Sequence, residues 1–132
     1  MCIMNPDEVT FGLDDIVRNG YTFTDGVGYI SPQLALETAL KYRFNQVSAF
    51  QVRIAGAKGV LMVKKELEGK QIQLRKSQTK FQSDDLSFNV IRCSTYGFGY
   101  FNRSIIILLS SLGVPDEYFI RKQIQAKDLV DY

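Results

Sequence analysis

The chain contains no histidine. Its 132 residues therefore hold no Ser-His or Cys-His nucleophile pair and no histidine-ligated metal site. Any chemistry has to rest on carboxylates, lysines, tyrosines or the groups of a partner. Cysteine is scarce as well. Cys2 and Cys93 make neither a disulfide framework nor a paired zinc motif, so reduced thiols in an intracellular protein, cytoplasmic or nuclear, are expected, with Cys93 in the core. Long apolar runs are also missing: the strongest, Ser104 to Val114, is far too short to cross a bilayer and lacks signal-peptide flanks, so no membrane association is expected. No internal repeat, low-complexity tract or linker rich in proline, glycine or serine interrupts the chain. Its length suits one domain, expected over residues 1–132.

What is present is an ordinary globular composition, with 45% hydrophobic and 23% charged residues, which excludes a disordered or fibrous chain. The formal charge of +2 is too small to mark a nucleic-acid binder by itself. Its distribution says more. Asp7, Glu8, Asp14 and Asp15 gather near the N-terminus, whereas Arg53, Lys58, Lys64, Lys65, Lys70, Arg75, Lys76 and Lys80 fall in the middle third.

The hydrophobic pattern predicts strands in the middle and helices on either side. Tyr21 and Phe23, then Val27 and Tyr29, read as two strand pieces joined by a bend at Asp25-Gly26. Ser31 and Pro32 open a helix with Leu36, Ala39 and Leu40 on its apolar side, a Glu37–Lys41 pair, and an end near Asn45. Phe50, Val52 and Ile54 then alternate with polar residues as a half-buried strand, which Gly56-Ala57-Lys58-Gly59 should break. Further strands are expected at Val60 to Lys64, around Ile72 and Leu74, and around Leu86, Phe88 and Val90. From Asn102 the spacing of Ile105, Leu108, Leu109 and Leu112 is helical, with Ile106 and Ile107 widening the apolar face, so this helix should be buried on most sides and stop at Gly113. A last helix should start at Pro115-Asp116-Glu117, with Phe119, Ile120 and Ile124 on its apolar side. The order of elements points to an α+β fold, a compact barrel or strongly bent sheet with peripheral helices, because the segments between strands are too short for repeated crossover helices.

Few motifs carry chemistry. Asp25 lacks the alternate oxygen ligands and terminal glutamate of a calcium loop, so an acidic turn is the simpler reading. The GVG beside it lacks the third glycine of a dinucleotide fingerprint. Asp14-Asp15 and Asp84-Asp85 are adjacent pairs that on a strand would face opposite ways and could not share a metal ion. In Gly56-Ala57-Lys58-Gly59 the glycines would let a phosphate approach the main chain while Lys58 supplies charge, although a surface turn explains the same residues. Leu74 to Phe81 places Arg75 and Lys80 at the two ends of a polar run, either a solvated edge strand or a phosphate-facing track.

Four blocks, FTDGVGYIS, SAFQVRIAGAKGVL, LRKSQTKF and FNRSIIILLSSLGVPDEYF, stand in the order and wording of the eukaryotic cell-encoded RNA-dependent RNA polymerases of RNA silencing, which the chain resembles from about Tyr21 to about Gln123. The resemblance implies the first of two double-psi β-barrels, a core of about six strands with peripheral helices. In the family the catalytic metal lies on a DxDGD loop of the second barrel, and no such loop occurs in this sequence. No metal or other cofactor is therefore expected on this chain, and magnesium is expected in the complete polymerase. Lys58 and Lys80 match lysines that face the active centre in that family. Arg75 and Arg53 are further candidates for RNA or nucleotide phosphate, or for holding the barrel loops. Asn102 and Arg103 match a structural element, with Phe101 in place of the expected leucine.

The implied partners are RNA, ribonucleoside triphosphates and a second barrel in cis or in trans, with homodimerisation of the isolated domain as a further expectation. Taken alone the chain should be inactive, as a fragment, an excised domain or a reduced relative. The alternative is a non-catalytic barrel that serves as an RNA-binding or assembly module. A small metabolic enzyme is disfavoured, since no nucleophile–base pair or cofactor fingerprint is present.

Overall fold

Period-two alternation builds the sheet of this protein. A computed structural model describes residues 2–97 and 99–129. Strands β1 (Cys2–Ile3) and β2 (Val9–Leu13) come first, followed by the short strands β3 (Val17–Arg18) and β4 (Tyr21–Thr22) and then β5 (Val27–Ile30). Helix α1 (Pro32–Lys41) leads into β6 (Ala49–Ile54), β7 (Ala57–Val63), β8 (Ile72–Arg75) and β9 (Ser87–Cys93), and the helices α2 (Arg103–Ser111) and α3 (Asp116–Asp128) follow. The chain divides into two compact units, residues 1–95 and 96–132.

In the first unit a seven-stranded sheet has the order β1-β9-β6-β7-β5-β8-β2, while β3 and β4 form a separate hairpin. The sheet is mixed: β5 runs parallel to β7 and β2 parallel to β8, and the other pairings are antiparallel. With its helices this is the α+β, barrel-like arrangement that the sequence predicts. The two strand pieces expected around Asp25-Gly26 are β4 and β5. They do not pair with each other, because β4 joins β3 and β5 enters the main sheet. The turn between them is closed by the Val27 amide on the Thr24 carbonyl at 2.9 Å.

Phe50, Val52 and Ile54 on β6 are buried with Ile30, Leu61, Ile72 and Leu74 in one core. Cys93 belongs to that core, and burial pushes its thiol up from the ordinary value. The side chain of Cys2 lies outside the described residues. Helix α1 covers the core, but with a different face from the one predicted. Leu34, Ala35, Thr38 and Ala39 are buried, whereas Leu36 and Leu40 are exposed. Small Ala35 and Ala39 allow the helix to lie close to the sheet, which leaves the bulkier leucines outside. The helix stops at Lys41, short of the expected Asn45, and Arg43 adopts a positive φ of 63° just beyond it. Glu37 pairs with Lys70 at 2.7 Å.

Ser31 caps α1 and does a second job. Its Oγ accepts the Leu34 amide at 3.4 Å and the Gln71 amide at 3.0 Å, within a fully buried site. Replacing it leaves two backbone donors unmet. Ser31→Ala is expected to lower the unfolding free energy by about 1–2 kcal/mol, read from urea titration.

In the second unit Asn102 caps α2 by accepting the Ile105 amide at 2.9 Å. Phe101 packs edge-on against Phe119 at 5.5 Å between ring centroids. The expected burial of α2 is not met: none of its residues is buried, and Ile107, Leu108 and the following Leu112 are exposed. On α3 Phe119 is buried as predicted, but Ile120 and Ile124 are not. Apolar periodicity identifies a helix without supplying the surface that would cover it. Among the described residues no helix is long and apolar enough to cross a membrane.

Candidate functional site

Strands β6 and β7 form a hairpin whose turn is only two residues long. Ile54 pairs with Ala57, and Ala55 and Gly56 between them have φ of 48° and 74°. Positive φ at both central positions is the condition for the type I′ turn, whose twist matches that of the flanking strands. The predicted break is thus shorter than expected, because Ala57, Lys58 and Gly59 already belong to β7. Lys58 is a strand residue with an exposed side chain.

The register then decides its neighbours. Lys58 stands directly opposite Arg53, and Arg53 stands opposite Asn89 on β9. Directly opposed residues on antiparallel strands share a face, with Cβ atoms about 4.5–5.5 Å apart. The three therefore form a row across β7, β6 and β9. Lys80 reaches the same place through the segment after β8: its amide donates to the Gly56 carbonyl at 3.0 Å, and Thr79 forms a bridge with Ala57. Its Nζ donates to the Ser77 carbonyl at 2.6 Å.

Arg53, Lys58 and Lys80 line one cleft of about 420 Å³, together with Phe81, Asp85 and Asn89. Among the described residues none of the three cations has a carboxylate ion-pair partner. Two like charges facing each other across a strand pair repel. The row is therefore an unneutralised concentration of positive charge that a bound anion would relieve. Asp85 is the acid on its edge. Its Oδ1 accepts the Ser87 amide at 2.9 Å, and hydrogen bonding from Ser87 holds its carboxyl below the usual value.

Arg75 does not line this cleft. It is buried and donates from Nε to the Val27 carbonyl at 2.7 Å, from Nη1 to the Asp14 carbonyl, and from Nη2 to the Tyr29 hydroxyl at 2.8 Å. These bonds join β8 to β5 and to the loop after β2. Of the two roles expected for it, this position suits the holding of loops. The polar run around it is not a solvated edge either. Residues 76–78 make a tight helical turn, and Gln78 is fully buried, accepting the Arg75 amide at 2.9 Å and donating to the Val60 carbonyl at 3.2 Å.

Asp15 completes that corner. Partial burial opposes its charge, but the hydroxyls of Ser77 and Thr24, the Ser77 amide and the charge of Arg75 prevail, and hold its carboxyl below the ordinary 3.8. Because the folded form binds the proton less readily than the unfolded one, this contribution is present above the ordinary carboxylate value and is lost as pH falls through the folded one. Asp15→Asn is expected to flatten the acid limb of the stability curve, below about pH 5, with stability followed by urea titration across pH.

The sequence did not single out Phe81, Asp85 or Asn89 as cleft residues. The spacing of Ser87 and Asn89 on the predicted fourth strand could have placed those two on one face, but the pairing of β9 with β6 is not visible from local spacing. Among the described residues no three groups of the histidine, cysteine, aspartate or glutamate kind converge on a metal position. Three cations without a carboxylate ion-pair partner among the described residues are chemistry suited to an anion.

A family model described as RNA dependent RNA polymerase matches residues 1–131. Among curated proteins the chain is 47% identical over 123 residues to "Probable RNA-dependent RNA polymerase SHL2" of Oryza sativa subsp. japonica, an alignment covering 91% of this chain and 10% of the relative. It is 42% identical to "RNA-dependent RNA polymerase 1" of Arabidopsis thaliana, covering 84% and 10%. With "RNA-dependent RNA polymerase 1" of Schizosaccharomyces pombe the identity is 39%, covering 81% and 9%. The chain thus spans about a tenth of the length of these relatives. Its fold is similar to that of "RNA dependent RNA polymerase QDE-1 from Thielavia terrestris", with a TM-score of 0.64 at 24% identity, over 71% of this chain and 11% of that one.

Proposed function

The chain belongs to the RNA-dependent RNA polymerase family, and from that premise we propose that its sheet unit supplies the cationic side of a nucleotide-joining centre. Lys58, Lys80 and Arg53 would face the phosphates of RNA or of an incoming ribonucleoside triphosphate. The observation that carries this reading is the Lys58–Arg53 row with Lys80 beside it, three cations on one cleft without carboxylate partners among the described residues.

The chemistry sets what such residues can contribute. Joining ribonucleotides moves negative charge between phosphate oxygens, so fixed cations near those oxygens position the substrate and offset the charge. Magnesium ions, which polarise phosphates and the attacking hydroxyl in such reactions, have no ligand set among the described residues, and the reading assigns them to aspartates of a second barrel. Arg53 and Lys58, held by the β6–β7 register, and Lys80, tethered through its amide to Gly56, are arranged before any ligand arrives. In the complete protein this centre would copy an RNA template, in RNA silencing as in the named family. The 132-residue chain alone is expected to bind RNA without polymerising it.

Single-stranded RNA binding, followed by fluorescence anisotropy between 50 and 200 mM salt, tests this. Affinity should fall steeply with salt, and Lys58→Ala and Lys80→Ala should each reduce the salt slope by about 1 and weaken binding several-fold whatever the RNA sequence. Unchanged affinity and slope in both variants would remove the phosphate-facing role.

A further inference from the structure

Beside the cationic row stands an aromatic side chain to which the phosphate reading gives no task. Phe81 is 65% exposed, and its carbonyl lies close against Gly56. A Cβ added at Gly56 would strike the Phe81 carbonyl and meet its ring at 3.1 Å, so the ring leans on the hairpin turn at the one place where no side chain intervenes. The neighbouring Lys80 amide is tied to the same glycine. Phe81 lines the cleft of Arg53, Lys58 and Lys80 and also an adjoining one of about 610 Å³, bordered by Phe11, Lys76 and Gln82. The exposed ring shares its cleft with three cations, so a phosphate held by them would bring the attached base toward a π-face.

We propose that Phe81 is a base-stacking platform: with phosphates on Lys58, Arg53 and Lys80, one nucleobase of the bound strand or nucleotide lies against its ring. The inference rests on the phosphate reading of the same cleft and adds the group that recognises a base. Stacking on an aromatic ring is tolerant of base identity, so the platform would position a nucleotide without choosing it. The register of the site follows from the fold. Lys58 and Arg53 are paired across β6 and β7, and Phe81 lies against the turn that joins those strands, so the phosphate and base contacts belong to one hairpin.

The test compares three probes on the 132-residue chain: a mixed-sequence single-stranded RNA 12-mer, an abasic phosphodiester strand of the same length, and tripolyphosphate. Phe81→Leu should weaken RNA binding by at least about fivefold while leaving the abasic strand and tripolyphosphate unchanged. Lys58→Ala should weaken all three. Phe81→Trp should retain RNA binding, and as the only tryptophan of a chain that has none its fluorescence should be quenched by the RNA and not by the abasic strand. Equal loss of all three probes in Phe81→Leu, or unquenched Phe81→Trp fluorescence at saturating RNA, would overturn the platform. So would an effect confined to self-association in ultracentrifugation. If Lys58→Ala changes nothing while Phe81→Leu weakens RNA alone, the phosphate reading fails and the stacking contact stands by itself.

Discussion

Arg75→Ala is expected to destabilise the sheet unit by about 2–4 kcal/mol, because buried acceptors lose a charged hydrogen-bond donor. Arg75 is 3% exposed, and its guanidinium satisfies the carbonyls of Val27 and Asp14 and the hydroxyl of Tyr29, while lying 5.0 Å from the centroid of the Tyr29 ring. Alanine would leave those acceptors facing a void. Arg75→Lys should recover little, because an ammonium cannot reproduce three divergent donors in one plane or stack on the ring. Urea denaturation at neutral pH measures both. A loss below about 1 kcal/mol for Arg75→Ala would show that these bonds add little beyond what water supplies. Arg75 also distinguishes stability from binding. A destabilised variant that still binds RNA with the salt slope of the parent would place it among the residues that hold the site together, apart from those that meet phosphate.

Gly59→Ala should be comparably damaging, at about 3 kcal/mol, with a fall in melting temperature of roughly 10 °C or more for a unit of this size. The cause is backbone proximity. Gly59 has φ 152° and lies where β7 passes the turn before β5, and a Cβ there would collide with the Gly26 carbonyl, which accepts the Val60 amide at 2.9 Å. No rotamer change relieves a clash with main chain. Gly69→Ala is the control, because its φ of 66° is also unfavourable for alanine but a Cβ there meets nothing within 4 Å. It should cost about 1 kcal/mol. Equal effects of the two substitutions would mean that backbone conformation alone, and not the close passage of β7 by Gly26, sets the cost. Since Lys58 adjoins Gly59, the same substitution should weaken RNA binding through displacement of β7.

Phe50, Val52 and Ile54, the cap at Ser31, the helix start at Asn102 and its end at Gly113 were legible because each acts over one or two turns or a few strand residues. The four family blocks were legible for another reason: wording and order identify a lineage without reference to geometry. Lys58, Lys80 and Arg53 could be nominated as cations in this way, but nothing local states that they share a cleft. That depends on Ile54 pairing with Ala57 across a two-residue turn, and on β9 returning beside β6 from more than thirty residues away. Arg75 and Gln78 show the reverse case, since a polar run that reads as a solvated edge or a phosphate-facing track turns out to bond inward to Val27, Asp14 and Val60.

Helices α1 and α2 teach the same lesson about burial. The sequence by itself determined that both are helices and where their first turns begin. Tertiary packing alone decided that Ala35 and Ala39 meet the sheet in place of Leu36 and Leu40, and that no residue of α2 is buried. Helical and strand periods are properties of a single segment, whereas burial and register belong to pairs of segments. A pair distant in sequence is specified only once the whole chain has folded.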